Sequence, residues 1–121
     1  MNTVTTPREK HIQNDILRTF GTRKDMRLWR CNVGASTFQG PYGNQRVTFG
    51  VPGQADLTGI ILDPSTGKGI RLEIEVKSAI GRQRPEQINY QKMIEQFGGI
   101  YILARSVEDI FKALAEKGYT L

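Results

Sequence analysis

The sequence of 121 residues predicts a single domain of the α/β class, with the element order α-β-β-β-β-α-β-α. Three patterns support this prediction. Charged and apolar residues alternate from Arg71 to Lys77, which is typical of a β-strand with one buried face. An uninterrupted apolar run from Ile100 to Ala104 is typical of a strand that is covered on both faces. Near the N-terminus, apolar residues recur at helical spacing at Ile12, Ile16 and Phe20.

The N-terminal region is expected to form a helix followed by a strand. Thr6-Pro7-Arg8-Glu9 has the form of a capping box with proline at the first helical position. Leu17 joins the apolar stripe, and Gly21 is a natural stop for the helix. Residues 26–33 then alternate well enough to predict a strand from Met26 to Val33.

The next segment is expected to be irregular. Residues 34–43 are rich in Gly, Ser and Gln, which predicts a mobile loop that exposes Phe38 and Tyr42. A short strand is expected from Arg46 to Val51, ended by Pro52-Gly53.

A β-hairpin is predicted in the middle of the chain. Its strands run from Asp56 to Asp63 and from Ile70 to Lys77, and the turn lies in Pro64-Ser65-Thr66-Gly67-Lys68-Gly69. This pairing would bring the start of the first strand next to the end of the second.

Two helices flank the apolar strand at 100–104. Pro85 opens the first, which Gly98-Gly99 ends, and its apolar side is expected to consist of Ile88, Met93, Ile94 and Phe97. Ser106 caps the second, Asp109 completes a start like a capping box, and Gly118 ends it.

Composition limits the classes of function. Seventeen Lys and Arg residues against twelve Asp and Glu give a net charge of +5, which favours a polyanionic partner such as nucleic acid. Cys31 is the only cysteine, so an intrachain disulfide is excluded. His11 is the only histidine, which excludes a His-rich zinc site in one chain and makes histidine-based nuclease chemistry improbable. We find no signal peptide and no membrane-spanning apolar run, so a soluble protein of the cytoplasm is expected.

The predicted hairpin places three chemically useful side chains together. Asp56 begins one strand, and Glu75 and Lys77 share one face at the end of the other. Two carboxylates suit Mg²⁺ or Mn²⁺, and such a metal with a nearby amine is a plausible site for phosphodiester cleavage. Glu-x-Lys alone is a weak signal, because an exposed strand often carries a solvated ladder of salt bridges.

Between the two glutamates of this strand, Glu75 is the preferred ligand. Functional groups cluster at the carboxyl end of a strand, next to the helix that follows, so Glu75 pairs better with Lys77. Glu73 is expected to pair with Arg71 or with a lysine across the strand. The Val76 carbonyl is a further candidate ligand, and Lys77 would position or deprotonate the water, or stabilise the phosphate.

The chain resembles the VRR-NUC (virus-type replication-repair nuclease) branch of the PD-(D/E)XK superfamily. The resemblance rests on these segments: Gly50-Val51-Pro52-Gly53-Gln54-Ala55-Asp56-Leu57, Glu75-Val76-Lys77, Gln87, Gly98-Gly99, Glu9 with Gln13, and Trp29-Arg30 with Asn32. It spans nearly the whole chain. One departure is the stretch Pro52-Gly53-Gln54-Ala55-Asp56, where the family has an adjacent Pro-Asp pair.

This resemblance implies a restriction-endonuclease-like αβββαβ core, with a mixed central sheet flanked by helices. It implies a stand-alone nuclease of phage or bacterial type that cleaves DNA with Mg²⁺ or Mn²⁺. Branched DNA such as four-way (Holliday) junctions is the implied substrate, in replication, repair or recombination, and the implied assembly is a homodimer. The resemblance implies that Gln87 is a catalytic residue that contacts the phosphate or the metal's water. The alternative is that Gln87 makes a hydrogen bond from the helix to the sheet. Glu9 becomes an additional acid of the metal site, against the alternative of a capping-box partner for Thr6.

Several basic and polar residues are candidates for contacts to DNA. Arg82 and Arg84 directly follow the active strand and are placed to hold phosphates, although an ordinary charged loop is the alternative. Arg30, Asn32 and Arg46 are further candidates, and the aromatic residues of the 34–43 segment would stack on a distorted junction. A plain flexible loop is the alternative there.

Two other functions stay open. One is a nucleic-acid-binding module that keeps the basic surface and does not cleave. The other is a nuclease subunit within a larger repair, packaging or restriction complex. The acidic pair beside a basic surface separates the first alternative from an enzyme, because a pure binder gains nothing from two acids next to its polyanion.

Overall fold

The computed structural model of the protein describes residues 8–31 and 34–121, and this part of the chain folds as three helices and six strands. In chain order these are α1 (Glu9–Phe20), β1 (Met26–Arg30), β2 (Gly34–Gly40), β3 (Gly43–Phe49), β4 (Leu57–Leu62), β5 (Gly69–Val76), α2 (Pro85–Gln96), β6 (Ile100–Ala104) and α3 (Val107–Glu116).

The central sheet has the strand order β1-β4-β5-β6 and is mixed. Strand β4 pairs antiparallel with β1 on one side and with β5 on the other. Strand β6 follows the α2 crossover and pairs parallel with β5. The predicted hairpin is confirmed, with Leu57 opposite Ile74 and Leu62 opposite Gly69. The molecule therefore belongs to the α/β class, as predicted.

The main core lies on the sheet face that α1 and α3 cover. Apolar side chains at every second position of the strands point to this face, and the amphipathic helices close it. Its buried members include Ile16, Phe20, Leu28, Leu57, Ile61, Leu72, Ile74, Val76, Ile102, Ile110 and Leu114. Ser106 accepts a hydrogen bond from the Asp109 amide, so the predicted cap of α3 is confirmed.

The opposite sheet face carries α2 and a smaller cluster of Ala55, Tyr90, Ile94 and Tyr101. Because α2 covers β5 here, residues 72–77 are all buried. The prediction of one buried face for this strand is therefore wrong. Three of the charged residues, Glu73, Glu75 and Lys77, point into a second, polar interior between the sheet and α2, while Arg71 is exposed.

The predicted loop at 34–43 is wrong. Residues 34–40 form β2, which pairs with β3 from Gly34 opposite Phe49 to Gly40 opposite Gly43. Pro41 and Tyr42 make the turn, and Gly43 at φ +111° completes it, a conformation that glycine adopts without steric cost. The predicted exposure of Phe38 and Tyr42 is confirmed.

Several element boundaries differ from the predictions, and the prediction of the apolar side of α2 is partly wrong. Strand β3 spans Gly43–Phe49, whereas a strand from Arg46 to Val51 was predicted. Helix α1 begins at Glu9, with Arg8 as its N-cap residue, while Thr6 and Pro7 lie outside the described residues. Strand β1 ends at Arg30, before the gap at 32–33. On α2, Ile88 and Phe97 are exposed, because Gln87 and Tyr90 take the buried positions against the polar sheet face.

Within residues 8–31 and 34–121, none of the helices is both long and apolar enough to cross a bilayer.

Candidate active site

The hairpin register brings Asp56 against the end of β5. Asp56 directly precedes β4, and its Oδ2 accepts a hydrogen bond of 2.7 Å from the backbone amide of Val76. Its own carbonyl oxygen accepts a bond of 2.9 Å from the amide of Cys31, just after β1. Two neighbouring strands therefore fix this aspartate on the α2 side of the sheet.

Glu75 lies next to Asp56 on the same face and is only 3% exposed. Its Oε1 accepts a hydrogen bond of 2.9 Å from Nε2 of Gln87 and lies 3.8 Å from Nζ of Lys77. Its Oε2 is buried and has no hydrogen-bond donor among the described residues. The interpretation of Glu75 and Lys77 as a solvated salt-bridge ladder is therefore wrong.

Burial raises the pKa of both carboxyl groups, and the charge of Asp56 raises the pKa of Glu75 further. The pKa of Glu75 is raised from 4.5 to about 8, first because burial disfavours its charged form and second because of the Asp56 charge. Burial also raises the pKa of Asp56, against the opposing effect of the Val76 amide bond. Without a cation, Glu75 therefore favours its protonated form at neutral pH.

Lys77 is buried beside the carboxylates, with 8% of its surface exposed. Its amide donates a bond of 3.0 Å to the carbonyl of Ala104, which continues the pairing of β5 with β6. Its side chain packs closely on Gly81, where an added Cβ would lie 3.4 Å from Cδ of the lysine. The loop after β5 therefore closes over the ammonium group.

Gln87 links the first turn of α2 to the site. Its Oε1 accepts a bond of 2.9 Å from the amide of Arg84, and its Nε2 donates to Glu75. Gly53 packs against this turn at φ +79°, and an added Cβ would overlap the carbonyl oxygen of Glu86. Gln87 therefore makes the hydrogen bond from helix to sheet that the sequence analysis gave as the alternative to a catalytic role. Its partner on the sheet is Glu75.

The carboxylate of Glu9, at the start of α1, faces the same region. An added Cβ at Gly81 would lie 3.5 Å from its Oε1, and its charge contributes to the raised pKa values of Asp56 and Glu75. The α1 side chain thus reaches the site edge from the other side of Lys77. Its proposed capping partner Thr6 lies outside the described residues.

The candidate DNA contacts are dispersed. Arg82 and Arg84 are exposed beside the site, with Arg84 Nε 3.3 Å from a carboxylate oxygen of Glu86. Arg46 is exposed on β3. Arg30 is opposite Leu57, hence on the sheet face away from Glu75, and it bonds Asn14 of α1. Asn32 lies outside the described residues.

A second buried carboxylate, Glu73, lies two residues before Glu75. Its Oε1 accepts bonds from the hydroxyl of Tyr90 and, at 3.1 Å, from Arg71. The predicted pairing with Arg71 is confirmed. The Tyr90 partner was missed, because only the packing of α2 on the sheet brings the two together.

Arg105 was also missed. Its guanidinium donates to the carbonyl oxygens of Ser78 and Gly81, the latter at 2.8 Å, and so holds the loop that covers Lys77. Sequence alone gives no signal for this contact, since the residues are more than twenty positions apart.

The donor set of the site consists of the Asp56 and Glu75 carboxylates. Among residues 8–31 and 34–121, no group of three His, Cys, Asp or Glu side chains is arranged to hold a metal ion. Two hard oxygen donors, one of them with a buried oxygen that no hydrogen bond satisfies, nevertheless fit an Mg²⁺ or Mn²⁺ ion. Magnesium sites commonly use one or two carboxylates, with the remaining positions left to water and substrate.

Comparisons of the chain with protein-family models, with curated proteins and with solved structures find no match.

Proposed function

We propose that the protein is a divalent-metal-dependent DNA endonuclease. One observation carries the proposal: the buried carboxylate of Glu75 and the half-buried carboxylate of Asp56 lie side by side, with the Lys77 ammonium 3.8 Å from Glu75. Placing two acids side by side away from water is costly unless a cation or a proton compensates their charge. A fold gains from this arrangement when a cation belongs there.

Asp56 and Glu75 would hold the metal, and the backbone at Val76 passes directly beside them. A bound Mg²⁺ or Mn²⁺ would supply positive charge against the phosphate and make the attacking water more acidic. The raised pKa of Glu75 means that the metal must displace a proton at neutral pH.

Lys77 would act on the reacting groups directly. Its buried ammonium is placed to orient the attacking water or to stabilise the negative charge that builds up on the phosphate oxygens. Its burial and the 3.8 Å separation from Glu75 keep this charge beside the carboxylates. Gln87 acts through another residue, since it holds Oε1 of Glu75 and thereby orients the carboxylate.

The element order supports the same reading. Omitting the β2–β3 hairpin and α3, the chain runs α1-β1-β4-β5-α2-β6. This is the αβββαβ order that the resemblance to the PD-(D/E)XK superfamily implies, with Asp56 directly before β4, Glu75 on β5 and Lys77 directly after β5.

The substrate proposal is duplex or branched DNA, including four-way junctions. The net charge of +5 favours a polyanion, and Arg82 and Arg84 are exposed next to the site. Symmetric cleavage of a four-way junction requires two cuts, which a two-fold homodimer supplies. We place this activity inside a bacterial or phage-infected cell, in replication, repair or recombination.

The test is a panel of labelled junction, flap, duplex and single-stranded DNA, incubated with Mg²⁺, Mn²⁺ or EDTA. The wild type is compared with Asp56→Asn, Glu75→Gln and Lys77→Met. The matched controls make the same changes at exposed positions: Asp15→Asn, Glu95→Gln and Lys92→Met.

The proposal predicts metal-dependent cleavage that the three site variants lose by at least 100-fold, while the matched controls retain it. Lys77→Met should still bind DNA. Binding without cleavage of any substrate in either metal would identify a non-catalytic nucleic-acid-binding module instead.

A further inference from the structure

The β2–β3 hairpin takes no part in the proposed chemistry, yet it extends from the site. It pairs only with itself within the described chain and is separate from the central sheet. Its outer part, residues 37–46, is called the distal ribbon below. Every residue of the distal ribbon is exposed except the half-buried Gly40.

The hairpin leaves and rejoins the fold at the site edge. Strand β1 ends at Arg30, which is opposite Leu57, the first residue of β4. The amide of Cys31, where the chain departs, donates to the carbonyl of Asp56, where the chain has returned. The part of the chain that carries the hairpin therefore leaves and returns next to Asp56, one of the two carboxylates.

Two large aromatic side chains are exposed on the distal ribbon. Tyr42 at the turn is 96% exposed and Phe38 is 56% exposed. Neither belongs to the described apolar clusters of the core. Exposed aromatic side chains on a projecting element are a common feature of binding surfaces, because their burial on a partner stabilises a complex.

The charge of this region fits a polyanion. The chain has twelve acidic residues, yet none lies between Met26 and Ala55. The charged residues of that stretch are Arg27, Arg30 and Arg46. A second copy of this chain would bring its own net charge of +5 against the same surface, so charge complementarity favours nucleic acid over self-association.

The register divides the distal ribbon into two faces. Thr37 is opposite Arg46 and Gln39 is opposite Asn44, so these four polar side chains share one face. Phe38 and Gln45 lie on the other. Each seven-residue strand is about 23 Å long at roughly 3.3 Å per residue. The major groove of B-DNA, about 12 Å wide, accepts a two-stranded β-ribbon, and amide side chains read base edges there.

We propose that the distal ribbon enters a groove of duplex DNA beside the phosphodiester bond to be cleaved. The polar face contacts base edges and phosphate, with Arg46 on the backbone, while Phe38 on the opposite face and Tyr42 at the turn pack on the sugars that line the groove. The inference rests on the proposed function for the cleaved bond, while the contact itself is measurable as binding alone.

The test measures binding of a labelled duplex, and of one of its strands alone, by fluorescence anisotropy in EDTA. The ribbon variant combines Phe38→Ala, Tyr42→Ala and Arg46→Ala. The control combines Leu62→Ala, Phe97→Ala and Lys117→Ala, two exposed apolar side chains and one exposed cation away from the site. Sedimentation of each free protein is recorded in parallel.

We expect the ribbon variant to bind the duplex at least tenfold more weakly, and the control to bind within twofold of wild type. Losing one arginine contact should also reduce the log–log salt slope by about 0.9. Duplex binding within twofold of wild type would overturn the proposal, as would a wild type that binds no duplex. An equal loss of affinity for the single strand would indicate a surface on which unpaired bases stack. A change in the sedimentation of the free variant would indicate that the ribbon makes a protein–protein contact. Either result overturns the proposal that the ribbon enters a groove of duplex DNA.

Two further measurements separate this proposal from the nuclease. If the wild type shows cleavage in Mn²⁺ that depends on Asp56, and the ribbon variant binds duplex normally, only the ribbon proposal is refuted. If duplex binding depends on the ribbon but no metal-dependent cleavage is found, only the proposed nuclease activity is refuted. If the ribbon variant does not fold, amide hydrogen exchange of the wild type tests the ribbon proposal instead. The proposal predicts that added duplex slows exchange at residues 37–46, and unchanged exchange there overturns it.

Discussion

At the scale of single residues, the defining feature of the site is that its buried acid, Glu75, has few hydrogen-bond partners. Glu75 receives one hydrogen bond from Gln87 and a longer contact from Lys77, while its second oxygen has no donor among the described residues. Two carboxylates about 4 Å apart repel by about 4 kcal/mol at an effective dielectric near 20. In the absence of a cation, burial first, and for Glu75 this repulsion second, favours the protonated acid, which accounts for the raised pKa values.

Replacing Gln87 by Met should weaken the site and spare the fold. The change leaves a buried carboxylate oxygen without its amide donor, which costs roughly 1–3 kcal/mol. Loss of a group that orients a metal ligand typically lowers metal affinity or activity by about 10–100-fold. Mn²⁺ affinity and cleavage rate measure the effect, with the exposed Gln96→Met as the control. Wild-type Mn²⁺ affinity in Gln87→Met would show that the amide is only a helix cap.

The raised pKa of Glu75 predicts how stability depends on pH. The folded, metal-free protein holds this proton up to a pKa of about 8, whereas the unfolded chain releases it near 4.5. The protonated form therefore contributes stability that is fully present below about pH 4.5 and is lost as pH rises to about 8. Glu75→Gln keeps the shape of the protonated acid and cannot titrate.

Chemical denaturation in EDTA across this pH range checks the prediction. The stability of the wild type should fall relative to Glu75→Gln as the pH rises, and Mn²⁺ should remove most of the difference at pH 8. Two curves that stay parallel from pH 4.5 to pH 8 would contradict the assigned proton.

At the scale of elements, the site depends on how α2 docks against the sheet. The segment before Asp56 reaches the first turn of α2 through Gly53, whose φ of +79° and close approach to Glu86 exclude a side chain. This contact also explains how the longer spacing between Pro52 and Asp56 is accommodated. The extra residues turn at Gly53 and pack on the helix that carries Gln87.

Gly53→Ala should therefore reduce the free energy of unfolding much more than the same substitution at a turn with no close neighbour. Both Gly53 and Gly67 have positive φ, but an added Cβ at Gly67 meets no atom within 4 Å. We expect Gly67→Ala to cost about 1–2 kcal/mol from the backbone conformation alone. Gly53→Ala should cost at least twice as much and should also lower Mn²⁺ affinity, as measured by denaturation and calorimetry. Equal costs at the two positions would contradict the close packing.

The elements that could be predicted are those with local signals. The β4–β5 hairpin has two apolar strands and a turn rich in Gly, Pro and Ser, and α3 has its Ser106 cap, so both are recognisable without tertiary information. Strand β2 was missed because its Gly and Ser content has low β propensity, and its stability depends on backbone pairing with β3.

At the scale of the whole molecule, the two sheet faces have different roles. The face under α1 and α3 is an apolar core that stabilises the fold, whereas the face under α2 contains Glu73, Glu75 and Lys77 with few apolar neighbours. The convergence of Asp56 with Glu75 and Lys77 follows from the hairpin and was predicted. The burial of Glu75 and Lys77 was not predicted, because it depends on where α2 packs, and the apolar stripe predicted for α2 placed Ile88 and Phe97 inside.

The central claim is that Asp56 and Glu75 together hold one divalent cation. Isothermal titration calorimetry with Mn²⁺ at pH 8 tests it most directly, with the wild type, Asp56→Asn, Glu75→Gln and the exposed control Asp15→Asn. The account predicts one binding event per chain in the wild type and the control, and its loss in both site variants. Manganese uptake that persists unchanged in Asp56→Asn and Glu75→Gln, or no uptake by the wild type, would contradict it.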